Sequence, residues 1–217
     1  MCFAKIFVEA NFIKAYGFFS FNEDFRKAQK NNPDISLNLS AIAKGYAVDK
    51  IAKLLEKEGY TDFIVEIGGE VKAKGKRSSK ATGWNVGIAR PESDKVDSYE
   101  YIISLQNMSV ATSGDYRNYF DSDGKHYSHT IDPKTGRPVE HNLVSVTVFS
   151  KKCTRADAYA TGIMSMGEVK GMALANANKI PVVMFVRDNE GYKTLISNEA
   201  KKILEKPLDL SQPSKKQ

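Results

Sequence analysis

Asp157 and Thr161 stand four residues apart in Ala156-Asp157-Ala158-Tyr159-Ala160-Thr161, so in a helix a carboxylate and a hydroxyl project from one face. Small neighbours, Ala156, Ala158 and Ala160, clear space beside them. Oxygen donors with room for carbonyls and water suit Mg2+ better than zinc or copper. Ser40-Ala41-Ile42-Ala43-Lys44-Gly45 reads as a helix start, with Ser40 as the N-cap. Its free amides and the positive end of the helix dipole favour an anion. Lys44 adds positive charge, and Gly45 permits close approach of another backbone or a ligand. A hard cation beside an anion-binding helix start is the chemistry of a phosphate ester or pyrophosphate.

Other segments offer further groups. Gly68-Gly69 interrupts a strand pattern, which calls for a bulge or a close ligand contact. Thr112-Ser113-Gly114-Asp115-Tyr116 concentrates hydroxyls around a glycine and reads as a turn. Ser128 to Pro138 contains Asp132-Pro133-Lys134-Thr135-Gly136, a turn by its own chemistry, which brings His129 and Asp132 within reach of each other. His126, His129 and His141 follow no familiar zinc spacing and have no cysteine near them.

Positioning these groups requires a folded core. The chain has 217 residues, 41% hydrophobic and 27% charged, enough for one domain, and no apolar run approaches the roughly 18 residues of a membrane helix. Cys2 and Cys153 indicate no disulfide framework. The net charge of +6 gathers at Lys72, Lys74, Lys76, Arg77 and Lys80, read as a solvated hairpin tip, and in the tail at Lys201, Lys202, Lys206, Lys215 and Lys216. Neither cluster interleaves with stacking aromatics, so nucleic acid is not the expected partner.

The region 1–33 shows no clear periodicity. A helical stripe follows, with Ala47, Val48, Ile51, Ala52, Leu54 and Leu55 on one face and Gly59 as its stop. Strands are expected at Phe63 to Ile67, Val71 to Ala73, Trp84 to Ile88, Tyr101 to Leu105 and Val144 to Val148. Thr154 is the expected N-cap of the helix carrying Asp157, which stops near Gly167. A second short helix covers Glu168 to Ala177, and a hairpin turns at Asp188 to Gly191. Helix, strand, turn and strand occur at 47–74 and again at 169–196, a pattern a duplication would produce. The expected class is α+β, mostly antiparallel sheet with inserted helices. The domain reading is an irregular segment at 1–33, one domain at 34–205 and a flexible basic tail at 206–217.

Five motifs in order, Asn38 to Asp49, Val65 to Glu70, Ala111 to Tyr116, His129 to Pro138 and Ala156 to Thr161, resemble the ApbE family of FAD:protein FMN transferases. The resemblance covers about Asp34 to Ser197 and implies that family's fold. It also implies a reaction in which FAD is split at its pyrophosphate, AMP leaves, and FMN is joined to a Ser or Thr hydroxyl of an acceptor protein. Mg2+ is implied as cofactor, held by Asp157, Thr161, the Ala41 carbonyl and the backbone of Ala160. Asn38 and Lys44 match flavin-nucleotide contacts, and Gly68, Gly69, Ser113, His129, Thr130 and Ile131 fall in the segments that lie against FAD. His129 is the first choice for the proton acceptor, with Asp132 to orient it. A FAD pyrophosphatase giving FMN and AMP, and a non-catalytic flavin-binding protein, are the alternatives.

Family members usually carry a longer front segment, so the chain is expected to be a fragment, a truncated product or a shortened relative. Their implied acceptors are flavoprotein subunits of membrane redox complexes, the Na+-pumping NADH:quinone oxidoreductase and the Rnf complex. Their implied location is the periplasm, as lipoproteins of the inner membrane. No signal sequence is read in the residues given, which leaves cytoplasmic or truncated as the other expectations.

Overall fold

The computed structural model describes residues 19–21, 27–33, 39–89, 91, 99–114, 119–122, 125–128, 131–132, 137–138, 141–189 and 191–204. In chain order, β1 (Phe19–Phe21) pairs with β2 (Ala28–Lys30), and α1 (Ser40–Lys57) leads into the hairpin β3 (Phe63–Ile67) and β4 (Glu70–Lys74). A second hairpin, β5 (Trp84–Ala89) and β6 (Tyr99–Leu105), precedes β7 (Met108–Gly114). Two short antiparallel pairs follow, β8 (Tyr119–Ser122) with β9 (Lys125–Ser128) and β10 (Ile131–Asp132) with β11 (Arg137–Pro138). The chain continues through β12 (Leu143–Ser150), α2 (Cys153–Ala177), β13 (Val182–Asp188), β14 (Gly191–Ile196) and α3 (Asn198–Leu204).

The central sheet has six strands in the order β14-β13-β12-β7-β4-β3, every neighbouring pair antiparallel. This is the expected α+β arrangement. Both faces are covered, which explains why seven of the eight β12 residues are buried and why that strand reads as an unbroken apolar run with interspersed small polar residues. On one face Val146, Val148, Val182, Met184 and Val186 pack against Ala156, Ala160, Ile163 and Met164 of α2. On the other, Phe149, Val183, Phe185 and Val110 pack against Ile88, Ile103 and Leu105 of the β5–β6 hairpin and Ala200 of α3. Burying Ile163 fully is worth about 1.5–3 kcal/mol.

Helix α1 lies beside α2 and covers Phe63 and Val65 with Val48, Ala52 and Leu55. Ile51 and Leu54, expected on the same buried stripe, are 42% and 56% exposed, because that stripe is wider than the narrow sheet margin α1 covers. Gly59 ends the helix as expected. Its φ is +89°, and the amides of Gly59 and Tyr60 donate to the carbonyls of Glu56 and Leu55 at 3.2 and 3.0 Å, the reciprocal closure that a left-handed residue allows.

Several expectations are corrected. Ser40 is the first helical residue of α1, and the N-cap position falls on Leu39. Thr112, Ser113 and Gly114 form the end of strand β7, since pairing with β12 outweighs their turn propensity. Lys72 and Lys74 belong to β4, and their ammonium groups pair with Asp49 and Glu56 of α1 at 3.0 and 3.1 Å, so they clamp helix to sheet instead of solvating a tip. The two helix-hairpin units keep one order along the sheet, β14-β13 and β4-β3, with their helices side by side, an arrangement that a duplication would also produce.

The break at Gly167 occurs where expected, with φ +77° inside α2. His141 fills it: its ring nitrogen Nε2 lies 2.7 Å from the Met164 carbonyl, just before the break. A Cβ on Gly167 would approach the same ring to 3.0 Å.

Candidate functional site

The site is built where α1 crosses α2. Gly45 is buried there, and a Cβ on it would lie 2.5 Å from the Cys153 carbonyl oxygen and 2.8 Å from Cβ of Asp157. Glycine is required because no other residue lets the two backbones come so close. The closeness has a polar consequence: the Gly45 amide donates to Asp157 Oδ2 at 2.8 Å. In a regular helix that amide serves the Ala41 carbonyl four residues back, so Asp157 competes for the donor and the Ala41 oxygen keeps acceptor capacity.

Asp157 is 3% exposed. Burial pushes its carboxyl above the usual aspartate range, against the Gly45 amide and the Lys44 charge, which favour ionisation. Thr161, one turn on, has its hydroxyl 3.2 Å from that of Ser113 on β7. Strand alternation aims Ser113 at α2, while Thr112 faces the other way and bonds Thr147 at 2.8 Å. Ala156 and Ala160 are fully buried against the sheet. Their small size therefore lets α2 settle on the strands.

The third wall is the β3–β4 hairpin. Gly68 and Gly69 have φ of +58° and +96°, the two left-handed residues of a two-residue turn whose twist matches the flanking strands. No bulge is involved. The Gly69 amide is held by Glu66 Oε1 at 2.8 Å. Lys44 reaches across from α1, its ammonium 2.8 Å from Glu70 Oε2 and 3.3 Å from the Gly68 carbonyl. Glu70 is 1% exposed, and burial pushes its carboxyl up, with Lys44 opposing and the Asp157 charge adding to the rise.

Two buried carboxylates thus share one lysine, an imbalance that a bound cation relieves. Among the described residues no cluster of three or more His, Cys, Asp or Glu is present. A set of one carboxylate, one hydroxyl and backbone carbonyls forms no such cluster, and its all-oxygen character fits a hard divalent ion.

Asp49 is the residue that sequence reasoning missed. The N-cap of α2 is Lys152, which makes no side-chain cap bond, and the expected cap Thr154 lies inside the helix. The carboxylate of Asp49, reaching over from α1, accepts the amides of Cys153 and Thr154 at 3.0 and 2.9 Å and the Thr154 hydroxyl at 2.8 Å. Burial alone would raise its pKa, but these bonds and Lys72 together hold it below the usual range. The available signal was a helix start with no acceptor of its own, whose orphan amides had to find one elsewhere.

Of the residues expected to bind FAD, the structure brings Lys44, Gly68 and Gly69 together at one end and sets Ser113 against Thr161. Ile131 lies in β10, whose backbone runs against α2. Asn38, His129 and Thr130 fall outside the described residues. His141, considered as a zinc ligand, commits Nε2 to the helix break.

Comparison with known proteins identifies the family. Residues 10–184 match the model of the ApbE family. The chain is 47% identical over 177 residues to the FAD:protein FMN transferase of Vibrio cholerae, covering 82% of this chain and 52% of that protein. It is 39% identical over 176 residues to that of Escherichia coli, covering 81% and 50%. The crystal structure of Pseudomonas stutzeri flavinyl transferase ApbE in its apo form superposes with a TM-score of 0.76 at 37% identity, over 88% of this chain and 57% of that one. The flavin transferase ApbE of Vibrio cholerae superposes with 0.75 at 42% identity, over 86% and 58%. The chain spans about half the length of the curated relatives it matches. With the family model, the relatives and the fold in agreement, this protein belongs to the ApbE family.

Proposed function

We propose that this chain carries the catalytic half of a Mg2+-dependent FAD:protein FMN transferase. The observation that carries the reading is the buried Asp157 carboxylate, joined to the Gly45 amide and placed on one helical face with Thr161. Its relatives are named for this transfer.

Asp157, the Thr161 hydroxyl, the Ala41 carbonyl and the backbone of Ala160 would hold the metal. A Mg2+ ion held there would supply charge neutralisation and Lewis acidity to the pyrophosphate. Lys44 binds phosphate oxygens as a point charge, and the start of α1 lends its amides and dipole to the same end. Ser113 orients the Thr161 hydroxyl. In the reaction an acceptor Ser or Thr oxygen forms a bond to the phosphorus of the FMN half. The bond from that phosphorus to the bridging oxygen breaks, AMP leaves with the bridging oxygen, and the hydroxyl proton passes to His129 as base. The acceptors are proposed to be flavoprotein subunits of membrane redox complexes of the Na+-pumping NADH:quinone oxidoreductase or Rnf type, and the location to be periplasmic.

The test is intact mass of an acceptor domain after incubation with the chain, FAD and Mg2+, with Asp157→Ala in parallel. The expected result is a gain of one FMN with the wild type and none with the variant. FMN and AMP accumulating without acceptor modification would replace the transferase by a pyrophosphatase.

A further inference from the structure

We propose that Glu70 is a positioning residue for FAD: it holds the Lys44 ammonium in the one direction from which it meets the cofactor's phosphates. This rests on the functional reading above and assigns a role to a carboxylate that the transfer chemistry leaves unused.

Glu70 opens β4 directly after the two left-handed glycines and is 1% exposed. Burying a carboxylate is costly unless a charge faces it, and the charge here is Lys44, 2.8 Å away. Lys44 by itself is a flexible four-carbon stem on the surface of α1 with many rotamers open to it. The ammonium is drawn to Glu70 as an ion pair and donates to the Gly68 carbonyl at 3.3 Å, so one charge and one hydrogen bond restrict its aim. The Lys44 side chain is still 46% exposed, which leaves the ammonium accessible to a ligand. Next to it in sequence, Gly45 carries the amide bound to Asp157. The hairpin thereby fixes the phosphate-binding cation relative to the metal-binding carboxylate through one residue on each side.

Two effects of removing the Glu70 charge oppose each other. A nearby negative charge weakens attraction for phosphate, so its loss would tighten binding. Loss of the anchor releases the lysine into many rotamers and costs affinity, about three- to tenfold for one long side chain. The second is expected to dominate because a ligand meets the lysine on its solvent-exposed side, where water weakens the field of the Glu70 carboxylate behind it.

The experiment is a double-mutant cycle read as the Kd for FAD, from flavin fluorescence in the presence of Mg2+, on the full chain. Lys44→Ala is expected to weaken binding about tenfold or more, Glu70→Gln three- to tenfold, and the double variant no more than Lys44→Ala alone. Thermal unfolding of each variant reports folding, and Glu70→Asp, which keeps the charge but withdraws it, is expected to weaken binding as Glu70→Gln does. In transfer assays the Glu70→Gln loss appears in KM for FAD with kcat retained. Wild-type affinity or tighter in Glu70→Gln, or a further loss when it is added to Lys44→Ala, overturns the proposal. A wild-type chain that binds FAD but transfers no FMN removes the transferase reading alone, and the Kd cycle still decides the role of Glu70.

Discussion

The amide of Gly45 donates to the carboxylate of Asp157 across the crossing of two helices, at 2.8 Å and in a buried position. One contact ties the start of α1 to the helix that carries Asp157 and Thr161. It exists only because Gly45 lacks the Cβ that would collide with Cys153 and Asp157.

Gly45→Ala should therefore push the helices apart. The obstacle is backbone, which cannot swing aside, so the cost is placed at the upper end of overpacking, about 3 kcal/mol. Urea unfolding of the variant is expected to show a lower midpoint with the slope retained.

Gly69→Ala provides the contrast. A Cβ there meets nothing within 4 Å, and the strain comes from φ of +96° alone. The expected loss is about 1–2 kcal/mol, with the Mg2+ response in thermal melts unchanged.

Asp157→Asn should separate stability from function. The amide oxygen can still accept from Gly45, while the buried charge, whose carboxyl burial pushes upward, is gone. Metal-free thermal stability is expected to hold or rise by up to about 1 kcal/mol. Under the proposed function, the stabilisation expected from Mg2+ in the wild type should vanish in the same scan, together with the proposed FMN transfer.

Asp49→Ala removes a cap shared by two amides and a hydroxyl, a loss of about 1–2 kcal/mol at neutral pH. The folded carboxyl lies below the ordinary aspartate value of 3.8. Its contribution is thus fully present above that pH and is lost as pH falls through the folded value. Unfolding midpoints of wild type and variant should differ at pH 7 and converge as the pH drops below about 4.

Cys153 is fully buried, with its thiol 3.7 Å from the Val71 carbonyl. Burial, joined by the charges of Asp49, Glu70 and Asp157, pushes the thiol up to about 12. Iodoacetamide at pH 8 should leave Cys153 unmodified in the native protein and alkylate it in urea, as read by peptide mass.

The sequence by itself determined a good deal. Helix and strand positions followed from apolar periodicity, because burying one face of each element is a local requirement that the pattern must satisfy. The Gly59 stop and the Gly167 break were legible because left-handed backbone selects glycine. The pairing of Asp157 with Thr161 needed only the helical repeat. Tertiary structure decided what no local rule contains. Thr112 to Gly114 became strand because β12 lay beside it to pair. The amides of Cys153 and Thr154 found their acceptor in Asp49, more than a hundred residues earlier. Glu70 acquired a partner in Lys44 only when the hairpin folded against α1. Capping and charge pairing depend on distance in space, and residues far apart in the chain become neighbours only once the core has packed.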